Sequence, residues 1–335
     1  MKIKFLTRYP RDLITGGAEA QAAAYIKELI KLGHTASIDT KGTIGEIDIL
    51  HLVGLSVDFS YIAQAAKSKG IKVVTSPNFL YSNVKSYVAQ ILAKNKFANV
   101  TVPYKYCVQL KNSDAVIVNS QYEKKHIERV FGTGKLTVIR NGAYHYPKLE
   151  LPQLETELES LGLENKRFIF CCAMIDERKN TLRGLEAYLE AGTSLPLILA
   201  GDYRGSESYN RSVSLLIEAN KSKIKHLGLV TSRASLTALY QGAALHYLPS
   251  HFETPGLSSL ESLAMDTKIL VGDCPPVREY FNQNVIFANS KCAKNIAKCI
   301  DEGLGLSFTG AGLPSELYWE NIGKGLVETY EKILT

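Results

Sequence analysis

Short apolar runs alternate with longer amphipathic stretches along almost the whole chain, a pattern that dictates parallel sheets covered by helices. In the first half the spacing predicts strands at 3–7, 35–38, 49–52, 72–75, 115–118 and 136–139, with helices over 18–32, 58–69, 87–92 and 122–130. The run from Tyr144 to Pro152 then sets two prolines in a charge mix and reads as a hinge. Beyond it the alternation restarts, with strands predicted at 168–172, 197–200, 224–227, 245–248 and 268–271 and helices over 181–191, 209–219, 235–241 and 254–264. Two open α/β units follow, residues 1–147 and 148–317, with a ligand cleft expected between them.

The chain has 335 residues, 45% of them hydrophobic, enough for two cores. No run of 18 apolar residues occurs, which argues against a membrane span. Met1 to Arg8 reads as a buried strand rather than a signal peptide. The six cysteines have neither metal-ligand nor disulfide-framework spacing, which suits a cytoplasmic protein. The net charge of +6 hides an asymmetry: residues 1–147 hold 20 Lys+Arg against 10 Asp+Glu, the remainder 19 against 23. A basic first half suits an anionic partner (a membrane surface, a polyphosphorylated lipid carrier or an acidic glycan), or it serves solubility. Between Lys94 and Lys111, lysines interleave with Phe97, Tyr104 and Tyr106 as in an interfacial segment, so peripheral contact with an anionic inner membrane face is expected. No nucleic-acid-binding signature appears.

Pro249 to Ala264 holds the densest chemistry. A strand ends near Leu248, and a helix is predicted to open with Thr254 as N-cap and Pro255 as its first residue. Its free N–H groups and positive dipole end suit a diphosphate. Glu253 lies in the loop before it, Glu261 lies about two turns in, and Leu257, Leu260 and Ala264 form the expected buried stripe. Carboxylates so placed can each accept hydroxyl hydrogen bonds from a sugar or a ribose. Arg178 and Lys179 open another helix after the strand at 168–172, where a fixed cation would stabilise charge developing on a leaving phosphate. Thr15-Gly16-Gly17-Ala18-Glu19 follows the first strand, and glycine there permits close backbone approach to phosphate. Gly310-Ala311-Gly312 has no preceding strand and is set aside as a dinucleotide fingerprint.

The stretch from Pro249 to Ala264 resembles the glutamate–seven–glutamate motif of family 4 retaining glycosyltransferases, with Pro249, Ser250, Glu253, Gly256, Leu257, Leu260, Glu261 and Ala264 at matching positions. The resemblance implies an α/β GT-B fold of two Rossmann-like domains, a nucleotide-sugar donor, and a final helix over 318–335 that returns to the first domain. It implies that Glu261 binds the donor ribose, Glu253 the transferred sugar, and Lys179 with Arg178 the diphosphate. Thr254 and Pro255 depart from the family's Gly-Phe at the loop. Gly16 and Gly17 match a G-G-A-E loop, Asn141 a v-i-x-N-G segment at the interdomain edge, and Glu279 a segment that closes over the nucleotide. His51 matches an acceptor-side histidine, whereas Val73 to Asn78 lacks the family's His-Asp pair and Met174 stands where many relatives carry arginine. No two aspartates lie two apart, so no metal or other cofactor is expected. The acceptor would be a glycan, a lipid-linked sugar or a small molecule. A nucleotide-sugar epimerase of the same fold, or a non-catalytic sugar-nucleotide-binding subunit, remains open.

Overall fold

A computed structural model of the protein describes residues 1–8, 16–38, 45–79, 83–308 and 312–335; Thr15, Gly310 and Ala311 lie outside them. The chain divides into two compact units, Met1–Gly142 with Glu316–Thr335, and Ala143–Ser315.

The first unit runs β1 (Lys2–Thr7), α1 (Gly17–Lys31), β2 (Thr35–Ile38), β3 (Ile49–Val53), α2 (Val57–Ser68), β4 (Lys72–Ser76), α3 (Asn83–Lys94), α4 (Val102–Lys111), β5 (Ala115–Val118), α5 (Gln121–Phe131) and β6 (Leu136–Val138). All strand pairs are parallel, in the order β2-β1-β3-β4-β5-β6. Leu50, Leu52, Phe59 and Val73 form one core cluster, and Val116, Val118, Leu110 and Ile127 another. Residues buried on both faces of a parallel sheet produce the near-continuous apolar runs by which such strands are recognised.

The second unit runs α6 (Leu151–Ser160), β7 (Ile169–Cys172), α7 (Thr181–Ala191), β8 (Leu197–Ala200), α8 (Glu207–Ala219), β9 (Ile224–His226), α9 (Arg233–Gly242), β10 (Leu245–Leu248), α10 (Leu257–Ala264), β11 (Ile269–Gly272), α11 (Pro275–Arg278), β12 (Val285–Ala288) and α12 (Ala293–Gly305). Its parallel order is β12-β11-β10-β7-β8-β9, so the direction of winding reverses between β7 and β10. Strand alternation divides its core. Ile169, Leu197 and Leu199 face one helix layer, while Phe168, Phe170 and Ile198 face the other.

The last helix, α13 (Trp319–Leu334), belongs to the first unit. Trp319 meets Tyr25 of α1 edge-on, and the Tyr330 hydroxyl lies 2.5 Å from His51 Nδ1. The other ring nitrogen of His51 lies 2.8 Å from Ser76 Oγ. His51, whose sequence context suits either an acceptor-side contact or a satisfied buried histidine, is fully enclosed and ties α13 to the sheet through bonds inside its own unit.

Three further stretches take definite form. The predicted hinge runs directly into α6, whose first turn holds Pro152, a residue that fits there because the first N–H groups of a helix have no partner. The segment from Lys94 to Lys111 is a short 3-10 turn (Lys96–Ala98) followed by α4, and Tyr106 points inward against Phe79. Helix α10 begins at Leu257, with Gly256 as its N-cap at φ 93, so Thr254 and Pro255 belong to the loop and Thr254 does not cap it. Its buried face is Ser259, Leu260, Ser262 and Leu263, leaving Leu257 and Ala264 only half-buried.

Burial lowers the pKa of His51 to about 3. Below the ordinary histidine pKa of 6.5, the unfolded chain takes up a proton that the folded chain refuses, so stability contributed by His51 is complete above that pH and falls toward pH 3. The melting-temperature advantage of the wild type over His51→Gln is expected to shrink as pH drops from 7 to 4. A gap that stays constant would show that His51 is protonated within the folded protein.

Candidate functional site in the second unit

In an open parallel sheet the crevice outside the strand C-termini opens where the winding reverses. In the second unit that point lies between β7 and β10, and the two predicted motifs follow those two strands. After β7 the chain passes through Arg178 and Lys179 to Asn180, which adopts φ 61 and caps α7. The Asn180 side chain donates to the carbonyls of Pro249 and Ser290, and the N–H of His251 donates to the Arg178 carbonyl at 2.9 Å. These bonds fasten the β7 loop to the β10 loop. Gly272 at the end of β11 completes the seat, because a Cβ there would stand 1.9 Å from the Ser250 carbonyl oxygen.

Fastening the loops brings Lys179 Nζ within 2.5 Å and Arg178 Nη1 within 3.1 Å of the same Glu253 oxygen, Oε1. Burial alone would raise the Glu253 pKa, but the Lys179 and Arg178 charges outweigh it and hold the carboxyl below its ordinary value. The Glu253 side chain is 9% exposed and that of Lys179 14%, against 52% for Arg178. Arg178 is thus the cation that solvent, or an incoming anion, reaches most readily. Asp176 fixes the turn by accepting from the Lys179 backbone N–H at 2.6 Å.

Glu261 lies in a separate small cavity lined by Tyr144, Tyr146, Arg233, Thr237, Tyr240 and Met265. Burial raises its pKa, partly offset by a hydrogen bond from Tyr240 and the charge of Arg233. Arg233 stacks over the Tyr146 ring at 4.0 Å. The sequence reading missed these partners, although Arg233, Thr237 and Tyr240 recur at four- and three-residue steps along one face of α9. Cys171 and Cys172 end β7, and burial pushes their thiols up to about 12 and 11, so both remain protonated and unsuited to nucleophilic attack. Glu279 is the half-buried C-cap of α11, next to an Arg278 that forms a two-pronged pair with Asp273.

The first unit holds the remaining predicted residues. Gly16 is the N-cap of α1 and Gly17 its first residue. Asn141 is buried, with Oδ1 accepting from Gln21 Nε2 at 2.7 Å. Gln21 also joins Asn119 and Asn78, and Asn78 with Asn119 follow the ends of β4 and β5. This buried amide network was not foreseen; polar residues placed just after successive strands were its only signal. Glu123 supports it by accepting the N–H groups of Asn119 and Phe79, and burial raises its pKa to about 7 despite those bonds.

Residues 154–306 match the family described as group 1 glycosyl transferases, and residues 40–144 match glycosyltransferase family 4. The chain is 22% identical over 322 residues to the processive diacylglycerol alpha-glucosyltransferase of Acholeplasma laidlawii, covering 84% of this chain and 94% of that protein. Its fold is similar to that of Anabaena HepE, solved with UDP and glucose, at a TM-score of 0.77 and 16% identity over 99% of this chain and 100% of the other. The sucrose-phosphate synthase of Thermosynechococcus elongatus gives a TM-score of 0.71 at 15% identity, over 100% and 95% of the two chains.

Replacing Glu253 by Gln leaves Lys179 facing a neutral amide in a largely buried place. The expected loss is about 1–3 kcal/mol at pH 7, below the usual figure for a fully buried pair because Arg178 is half exposed. Glu253 has a lowered pKa, so its contribution is present above the ordinary carboxylate range and lost as pH falls through the folded value. Urea unfolding of both proteins at pH 7 and at successively lower pH should therefore show a gap that closes with acid. No gap at pH 7 would mean that the cluster contributes nothing to stability.

Proposed function

Because this chain belongs to the glycosyltransferases that join a family 4 domain to a group 1 domain, we propose that it transfers a hexose from a nucleoside-diphosphate sugar with retention of anomeric configuration. The observation that carries the reading is the convergence of Lys179 and Arg178 on Glu253 at the winding reversal of the second sheet. During transfer the bond from the sugar's anomeric carbon to the diphosphate breaks, and charge accumulates on the departing oxygen. Lys179 and Arg178 are the groups to receive that charge, and a cation already in position needs no reorganisation as the bond breaks. The acceptor hydroxyl attacks from the same face, forms the new bond to the anomeric carbon, and passes its proton to a diphosphate oxygen. Glu253, relieved of part of its cation pairing by the phosphate, accepts sugar hydroxyls.

Glu261 takes the ribose hydroxyls, in the cavity where Tyr240 and Arg233 already orient its carboxylate. Gly256, Leu257 and Thr254 border the diphosphate at the start of α10, and Glu279 lies on the nucleotide side. Within the first unit, Gly16 and Gly17 take the donor-binding role that the resemblance gives them, and Asn141 the acceptor-side role. The cationic pair makes a divalent ion unnecessary in this reading. The basic first unit suits a glycan or lipid-linked acceptor bearing phosphate or other negative charge, at the cytoplasmic side of a membrane.

Incubation with uridine, guanosine and thymidine diphosphate sugars, with and without acceptor, tests the whole reading. Transfer or slow donor hydrolysis is expected; an epimerised monosaccharide, or binding without turnover, would overturn it. With the active donor, Lys179→Ala is expected to lower turnover by roughly 10²–10³-fold, as for other lost contacts to transition-state charge. A drop under about threefold with the fold intact would place the diphosphate elsewhere. Glu261→Ala is expected to weaken donor binding by about 1–3 kcal/mol, the cost of a lost charged hydrogen bond, and calorimetry that finds no change would remove the ribose assignment.

A further inference from the structure

Helix α3 is amphipathic in an unusual sense. Its inward face is made of the small residues Ser86, Ala89 and Ala93, while its solvent face carries Tyr87, Val88 and Ile91. Tyr87 is 69% exposed, although the three- and four-residue spacing of these side chains is that of a buried stripe. The apolar face continues into the 3-10 turn that follows. There Asn95 caps the turn by accepting the Phe97 N–H at 2.9 Å, and Phe97 stands 98% exposed with Val100 at 85%. Val102 at the start of α4 extends the surface, and α4 packs against both α2 and α3. A fully exposed phenylalanine forgoes the entire gain from burial, and a contiguous set of such residues marks a surface that meets something else.

The charge around this face selects the partner. Between Asp58 and Asp114 the sequence holds eight lysines and no aspartate or glutamate. Lys85, Lys94 and Lys111 are exposed on α3 and α4, and Lys105 lies 4.3 Å over the Tyr61 ring of α2. Exposed apolar and aromatic side chains alternating with lysines, in a stretch of chain without acidic residues, match the layered chemistry of a bilayer surface. Glu128 on the neighbouring α5 and Asp58 at the start of α2 are the exposed acids of the adjoining helices. The rings and aliphatic groups enter the acyl boundary while lysine stems reach back to anionic headgroups. The geometry points to an anionic membrane surface as the occupant of this face, with α3 lying in the interfacial plane and Phe97 and Val100 as its inserted tip.

This deepens the reading of a lipid-linked acceptor, yet the face contains no residue assigned to donor chemistry, so the two readings can fail separately. The test is co-sedimentation of the full chain with vesicles of phosphatidylcholine alone and of phosphatidylcholine mixed with phosphatidylglycerol. Binding to the anionic vesicles at low salt is expected, together with weakening at high salt, because exposed charges are screened over about 8 Å at physiological ionic strength. The double variant Phe97→Ser, Val100→Ser should partition at least about tenfold less well, since two insertions are lost. Lys85→Glu with Lys94→Glu should lower binding by at least roughly fivefold per lysine. All four side chains are exposed, so unchanged thermal melting and unchanged donor affinity should accompany both losses. Three results would overturn the proposal: no binding to anionic vesicles at low salt, full binding by the Phe97→Ser, Val100→Ser variant, or a wild-type dimer that this variant dissociates, which would make the face a self-association surface.

Discussion

Glu253 is held between two cations that come from a loop some 75 residues earlier in the chain, and the second unit is organised around keeping them together. A carboxylate this enclosed costs several kcal/mol to desolvate unless opposite charge stands beside it. The pairing requires the loops after β7 and β10 to be neighbours, which the strand order supplies, and to be fixed, which Asn180 does by bonding to the carbonyls of Pro249 and Ser290. It also requires space, which Gly272 provides by letting β11 approach the Ser250 carbonyl. Moving any of these parts would separate the charges and expose the cost of burying them.

The same organisation explains why Glu253 and Glu261, eight residues apart, have different surroundings. Glu253 lies before the turn at Gly256 and meets the β7 loop; Glu261 lies beyond it, on a helix whose neighbours include α9. One carboxyl is held ionised by adjacent cations, while burial raises the other toward its neutral form despite Tyr240 and Arg233. Two carboxylates whose environments push their pKa values apart are prepared for different tasks.

The first unit relies mainly on neutral groups, although Glu123, with its pKa raised to about 7, lies buried beneath them. Its polar interior is an amide network of Gln21, Asn78, Asn119 and Asn141, together with a neutral His51 between Ser76 and Tyr330. Satisfied neutral groups avoid the penalty of buried ions and still fix geometry. The bond from His51 to Tyr330 also means that the last helix is secured at a strand in the centre of the unit rather than at its rim.

The alternation of apolar runs determined the two parallel sheets, because a strand buried on both faces must read as a short continuous apolar segment whatever its neighbours are. Spacing within 249–264 likewise marked Glu253 and Glu261, and the basic pair after β7 was legible as Arg178-Lys179. Local sequence could not determine where α10 begins: Thr254-Pro255 has the chemistry of a helix start, but the left-handed turn is made by Gly256 and the helix waits for it. Nor could it determine which aromatic rings face water, since Tyr106 and Phe97 both lie among lysines and only tertiary packing turns one inward and leaves the other exposed. Pairings such as Lys179 with Glu253, Arg233 with Tyr146 and His51 with Tyr330 were decided by the tertiary structure alone. A short-range ionic, stacking or hydrogen-bonding contact depends on distances that strand order and loop closure set, and no residue pattern along the chain encodes those distances.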